Sequence, residues 1–209
     1  MVTTVQLRDT VVALAYIAAS VLFIFGLKMM SSPRTARRGN VVSAFGMFLA
    51  VVATLVIKEE MSYRYILVGA VIGSLIGAVS AVRVPMTAMP EFVALYNGFG
   101  GIASLLVGWA EYHKAWAGAE TIDIGSALPI FLAVLIGGVT FTGSMIAYAK
   151  LAERITGKPI LFKGQQIANA LLMLVILALG AAFMWRPETP YGYASLMSLV
   201  VLSGVLGVL

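Results

Sequence analysis

The stretch SALPIFLAVLIGGVTFTGSMIAYA, residues 126–149, carries no charged side chain, and its only polar side chains are hydroxyls. A helix of that length, rising about 1.5 Å per residue, crosses the ~30 Å hydrocarbon core of a bilayer. Six more apolar runs surround it, near 9–30, 41–57, 63–84, 90–112, 166–185 and 191–209. The reading is an all-α polytopic transmembrane helix bundle of about seven spans, some of them tilted or short. The whole chain, 1–209, is expected to be a single transmembrane domain with no soluble domain.

Composition points the same way. The chain is 61% hydrophobic and 11% charged, with a mean hydropathy of +0.99. Average soluble domains have roughly 45–50% and about 25%. A soluble enzyme, a disulfide scaffold and a disordered chain are all excluded. With no cysteine there is no thiolate nucleophile, no Cys metal site and no iron–sulfur cluster. The net charge of +5 does not signal nucleic acid, because the basic residues lie between the apolar runs, where they set membrane orientation. Met1–Thr10 lacks a basic leader region and the run behind it is too long for a signal peptide, so it is read as a first span that is kept.

The linkers are short and polar: Ser31–Asn40, Lys58–Ser62, Pro85–Met89, His113–Gly125, Leu151–Gln165 and Arg186–Pro190. Nine of the Lys and Arg residues fall in or beside the first, third and fifth linkers: Lys28, Arg34, Arg37, Arg38, Arg83, Lys150, Arg154, Lys158 and Lys163. Five fall on the other side: Arg8, Lys58, Arg64, Lys114 and Arg186. The positive-inside tendency therefore places the N-terminus outside and the C-terminus inside. Trp109, Trp116 and Trp185, with Tyr63, Tyr65, Tyr112, Tyr191 and Tyr193, gather on the proposed outer side, as interfacial aromatics do. The chain stops at Leu209 within an apolar run, which suggests a fragment of a longer protein.

A polar group at membrane depth is costly and is by default a functional candidate. The fourth span carries Glu91 at its inner end, then Tyr96, Asn97 and Ser104, and Glu111 at its outer end. Asn97, Ser104 and Glu111 repeat at seven and share a helix face, from which Glu91 lies about 120° away. Glu91 also has a structural reading: Pro90 suits the first helical position, and a carboxylate in the first turn complements the helix dipole. Asn97, about 10 Å into the membrane, either bridges to a neighbouring helix or orders water in a proton path. In the fifth span, Thr140 and Ser144 share a face at a depth similar to that of Asn97. Around them Gly137, Gly138 and Gly143 favour close helix packing.

Other features have structural readings. Gly69, Gly73 and Gly77 form a helix-packing ridge, while Gln165, Gln166 and Asn169 satisfy the first turn of the sixth span. His113 is a solvated loop residue, and no proline interrupts the interior of a span. No Ser-His-Asp set, phosphate loop or dinucleotide fingerprint is present, and no metal site is read. The physical reading reaches a small helical bundle with a thin polar seam between its fourth and fifth spans, suited to ion or proton movement or to helix association.

The stretch MTAMPEFVALYNGFGG, residues 86–101, resembles the membrane domain of the beta subunit of proton-translocating NAD(P) transhydrogenase. Gly138–Ser144 is similar to that family's next span, and Gly157-Lys158-Pro159 to the loop after it; span order and orientation match along the chain. The resemblance implies one part of a Re/Si-specific enzyme of the bacterial inner membrane that couples inward proton movement to hydride transfer from NADH to NADP⁺. NAD and NADP would be bound by other domains: the NADP(H) domain at the C-terminus of beta, after two further spans, and the NAD(H) domain on the alpha side. No catalytic residue and no cofactor site are expected in this chain. Expected partners are the alpha subunit with its membrane helices, the NADP(H) domain, a second alpha–beta unit forming a homodimer, and the bilayer.

The family's proton-path histidine falls at Asn97, which cannot titrate near neutral pH. Either the protonated group is on another helix, such as one from the alpha side, or this protein does not pump; the first is favoured, because a later family stretch that resembles this one carries Asn itself and still lines the path. Glu91 matches a family carboxylate at the cytosolic mouth. The implied proton pathway is Glu91, Asn97, Thr140 and Ser144. Two other readings compete. A secondary transporter would call for inverted repeats and broken helices, and no repeat is visible. A structural membrane anchor would need no polar seam.

Overall fold

The computed structural model describes residues 4–57, 63–117, 122–158 and 161–209. The linker expected at Lys58–Ser62, part of the fourth linker and Pro159 lie outside them. Along the described residues run α1 (Thr4–Met30), α2 (Ala36–Ile57), α3 (Tyr63–Arg83), a 3₁₀ turn (Met86–Ala88), α4 (Met89–Trp116), α5 (Ile124–Leu151), α6 (Gln165–Trp185) and α7 (Pro190–Val208). No strand occurs among these residues, and all seven α-helices are long and apolar enough to span a bilayer.

The helices extend into the expected linkers, because short polar runs continue a helix wherever a cap allows. Asp123 caps α5 by accepting from the Ser126 backbone N–H at 2.9 Å, so the helix starts two residues early and takes in Gly125. Those hydrogen bonds from Ser126 hold the Asp123 carboxyl below its ordinary pKa. The ionised cap therefore persists at neutral pH and is lost only as acid protonates it. The early start also makes Pro129 an interior residue of α5, contrary to the expectation of uninterrupted spans; its missing N–H leaves the Gly125 carbonyl without that helical bond. His113 is not a loop residue either. It lies in the last turn of α4, with its ring stacked on Trp109 one turn earlier at 5.7 Å.

The chain divides into two compact units, Met1–Val79 and Ser80–Leu209. In the first, α1 and α2 form an antiparallel hairpin whose backbones touch. A Cβ on Gly39 would stand 2.7 Å from the Gly26 carbonyl oxygen, and Ser43 packs where a Gly26 side chain would lie. The Tyr16 and Thr54 hydroxyls hydrogen-bond at 2.9 Å across the pair. α3 is different, for it buries no residue. The ridge of Gly69, Gly73 and Gly77, expected to pack against a helix, faces open space: a Cβ on any of the three would meet no neighbouring heavy atom within 4 Å among the described residues.

In the second unit α4 packs antiparallel on α5, α5 contacts α7, and α7 runs antiparallel to α6. Tyr112, Phe131, Val134, Ile176, Phe183, Leu196 and Leu199 make its core. The buried Tyr112 hydroxyl donates to the Pro187 carbonyl at 2.8 Å, tying α4 to the turn between α6 and α7. Around it Phe183 meets the Tyr112 ring edge-on at 5.3 Å, and Trp116 and Tyr193 close the aromatic cluster. At the other end the expected cap of α6 is absent. Gly164, at φ 88°, is the N-cap with no side-chain bond, and Gln165 instead donates its amide to the Leu209 carbonyl at 2.7 Å. The Asn169 carbonyl oxygen is buried without a hydrogen-bond partner among the described residues.

Leu196 is fully buried whereas Leu67 on α3 is exposed. Leu196→Ala is therefore expected to lower stability by about 2–4 kcal/mol, and Leu67→Ala to change it by no more than about 0.5 kcal/mol. Unfolding by SDS titration in mixed micelles reads both.

Candidate functional site

The contact between α4 and α5 is built from glycine. A Cβ on Gly101 would lie 2.7 Å from the Phe141 nitrogen and 2.9 Å from the Gly137 carbonyl oxygen. On the facing helix, a Cβ on Gly137 would lie 2.6 Å from both the Gly101 carbonyl oxygen and the Leu105 nitrogen. No side chain fits at either position without separating the helices. Lacking a hydrophobic drive in lipid, helices associate through such close approach of small residues.

That approach brings two polar side chains from different helices into register. Asn97 Nδ2 donates to Ser144 Oγ at 2.8 Å. Ser144 is buried, while Asn97 is exposed on the side away from this bond. A helical serine commonly bonds back to its own carbonyls, as Thr142 does here to Gly138 at 3.1 Å and Ser203 to Val200 at 3.1 Å. Ser144 instead receives a bond from across the interface. Thr140, one turn away on α5, faces the same seam: its Cβ stands 2.9 Å from where a Gly101 side chain would begin.

Three of the four expected pathway residues are thus gathered, with Asn97 and Ser144 bonded and Thr140 beside them. Glu91 is not joined to them. It sits partly exposed in the first turn of α4, about 9 Å along the axis from Asn97, and no hydrogen bond or ion pair connects it to the seam among the described residues. Pro90 is the second residue of α4, one later than expected, because the helix opens at Met89 directly from the 3₁₀ turn. The carboxylate of Glu111, on the Asn97 face at the far end of α4, is engaged by Lys114 at 3.1 Å. Ser104, between the two, is half-buried.

One neighbour escaped the sequence reading. Next to Asn97, Tyr96 donates its hydroxyl to Ser80 Oγ at 2.6 Å. Ser80 lies near the polar end of α3, where a serine in an apolar run was a weak signal. The donor set at the seam is one carboxamide and hydroxyls. This chemistry accepts and donates hydrogen bonds without a fixed charge and suits water or a passing proton better than a bound ion.

Comparison with known proteins agrees with a membrane-helix fold. A family profile described as NAD(P) transhydrogenase beta subunit matches residues 12–209. Two relatives named NAD(P) transhydrogenase subunit beta, both from Rhodospirillum rubrum and one from a designated strain, are each 39% identical over 155 residues. The match covers 72% of this chain and 33% of each relative, so the chain spans about a third of the length of these curated proteins. With seven helices among the described residues long and apolar enough to cross a membrane, and a match along nearly its whole length, this multi-pass membrane chain belongs to the NAD(P) transhydrogenase beta subunit family.

Proposed function

We propose that this chain is the proton-conducting membrane domain of a Re/Si-specific NAD(P) transhydrogenase of the bacterial inner membrane. It couples inward proton movement to hydride transfer from NADH to NADP⁺ on separate soluble domains. The observation that carries the reading is the hydrogen bond between Asn97 and Ser144, made across two spans in a chain of this family. Both nucleotides are assigned to other domains and to the alpha side, as the family resemblance implies.

At the seam the roles follow from the donors and acceptors. Ser144 Oγ accepts from the Asn97 amide, which leaves the Ser144 hydrogen free to point onward and the Asn97 carbonyl oxygen free to accept. An ordered water file then has a partner at each step, with the Thr140 hydroxyl one turn along. Neither Asn97 nor the hydroxyls change protonation near neutral pH, so the titrating group comes from a helix that covers the exposed side of Asn97. The alpha subunit's membrane helices are the proposed source. Protons entering from outside pass this point and leave by Glu91, whose carboxylate stands in the first turn of α4. Their passage alters the contact between the inner loops and the NADP(H) domain. A dimer of alpha–beta units completes the assembly.

In the complete complex reconstituted in proteoliposomes, Asn97→Leu is expected to lower proton-coupled transhydrogenation at least about tenfold, with copurification of the alpha side unchanged. Unaltered coupling would remove Asn97 from the path. The packing has its own check, since the native chain has no cysteine. An Asn97→Cys, Ser144→Cys pair is expected to be joined by a short bifunctional thiol cross-linker, and Gly101→Leu in that background to lower the yield on the order of tenfold by forcing α4 and α5 apart.

A further inference from the structure

The turn joining α1 to α2 concentrates positive charge. Arg34, Arg37 and Arg38 are all exposed, and none has a carboxylate within ion-pair distance among the described residues. Elsewhere Lys114 is paired with Glu111, and Arg154 lies over the Tyr148 ring at 5.3 Å. The turn is well fixed. Thr35 Oγ1 donates to the Met29 carbonyl at 2.5 Å, and Ser31 Oγ donates to the Lys28 carbonyl at 2.7 Å. The backbone bonds Ala36 N–H to Ser32 C=O at 2.9 Å and Gly39 N–H to Thr35 C=O at 2.8 Å lead the turn at Ser32–Thr35 directly into the winding of α2.

On that winding the arginines share a face, since Arg37 and Arg38 follow Arg34 at three and four residues. Gly39, Ser43 and Gly46, which press on α1, lie about 120–180° round the axis from Arg34. The arginines therefore occupy the side that α1 leaves free. Continued down α2, the same side passes through Val41, Phe45 and Phe48, which are 66%, 59% and 64% exposed. A cationic head thus stands over an apolar stripe on one helix face. Guanidinium groups match phosphate oxygens in bidentate geometry, and basic clusters at the end of a membrane helix attract anionic headgroups.

We propose that this face binds an anionic phospholipid, its phosphate held by Arg34, Arg37 and Arg38 and an acyl chain lying along Val41, Phe45 and Phe48. The apolar stripe is what favours a lipid over a soluble phosphate compound or an acidic protein segment, because only a lipid satisfies both halves at once.

The probe is phosphatidylglycerol retained by the complete, detergent-purified complex in native mass spectrometry. Replacing the three arginines by glutamine is expected to lower retention on the order of tenfold, whereas replacing Lys150, Arg154 and Lys158 by glutamine leaves it unchanged. The charge-conserving R34K, R37K and R38K triple variant, which keeps the orientation signal, is expected to lose several-fold because lysine lacks the bidentate fork. The soluble headgroup glycerophosphoglycerol should not displace the lipid. Equal retention by wild type and the glutamine variant would overturn the proposal, as would equal loss in both glutamine variants or an unchanged lysine variant. Displacement by the soluble headgroup, or cross-linking of these arginines to an acidic segment of a protein partner in place of lipid, would equally refute it.

Discussion

Hydrocarbon offers neither water to polar groups nor a hydrophobic incentive for helices to meet, so everything polar within these spans depends on how closely two backbones can approach. At α4 and α5 the approach is set by Gly101 and Gly137, each of which sits where the opposite backbone leaves no room for a Cβ. The Asn97 to Ser144 hydrogen bond follows from that contact. The backbone contact fixes the register in which the Asn97 carboxamide meets the Ser144 hydroxyl. The functional reading of this chain therefore rests on two residues with no side chain.

The second unit is held in two different ways along its length. Toward one end, Tyr112, Phe131, Phe183 and Leu196 interlock, and the Tyr112 hydroxyl fastens α4 to the turn before α7. Toward the other end, contacts run through Gly98, Gly101, Gly137, Gly138, Gly143 and Gly207, with Ser144 and Ser203 among them. Bulky interlocked side chains resist displacement, and the aromatic end acts as the anchor. The polar seam lies in the glycine-lined half, where backbone contact sets the register of the hydrogen-bonding groups.

Much of this was legible from the residues. Apolar runs long enough to cross a bilayer identified all seven helices, and the similar expected depth of Asn97, Thr140 and Ser144 on the fourth and fifth spans pointed to the side chains that meet there. Helix ends were less legible because capping decides them: Asp123 drew Ile124 and Gly125 into α5, and α4 ran on through His113 to Trp116. Partner choice was illegible. A glycine ridge reads alike whether its neighbour is present or not, so Gly69, Gly73 and Gly77 suggested a packing that the described residues do not make. Gln165 shows a similar limit, because an amide at a helix start can turn to a distant carbonyl, here that of Leu209. The pairing of Tyr96 with Ser80 depended on tertiary geometry in the same way.

The exposed side of Asn97 is where the account is most open to contradiction. A structure of the complete alpha–beta complex at a resolution that shows ordered water would test it most directly. The account predicts water within hydrogen-bonding distance of the Asn97 carbonyl oxygen and of the Thr140 hydroxyl, with a titratable side chain from a neighbouring helix within reach of that water. Apolar side chains packed dry against Asn97, with no water between α4 and its new neighbour, would contradict it and leave the Asn97 to Ser144 bond as a helix fastener only.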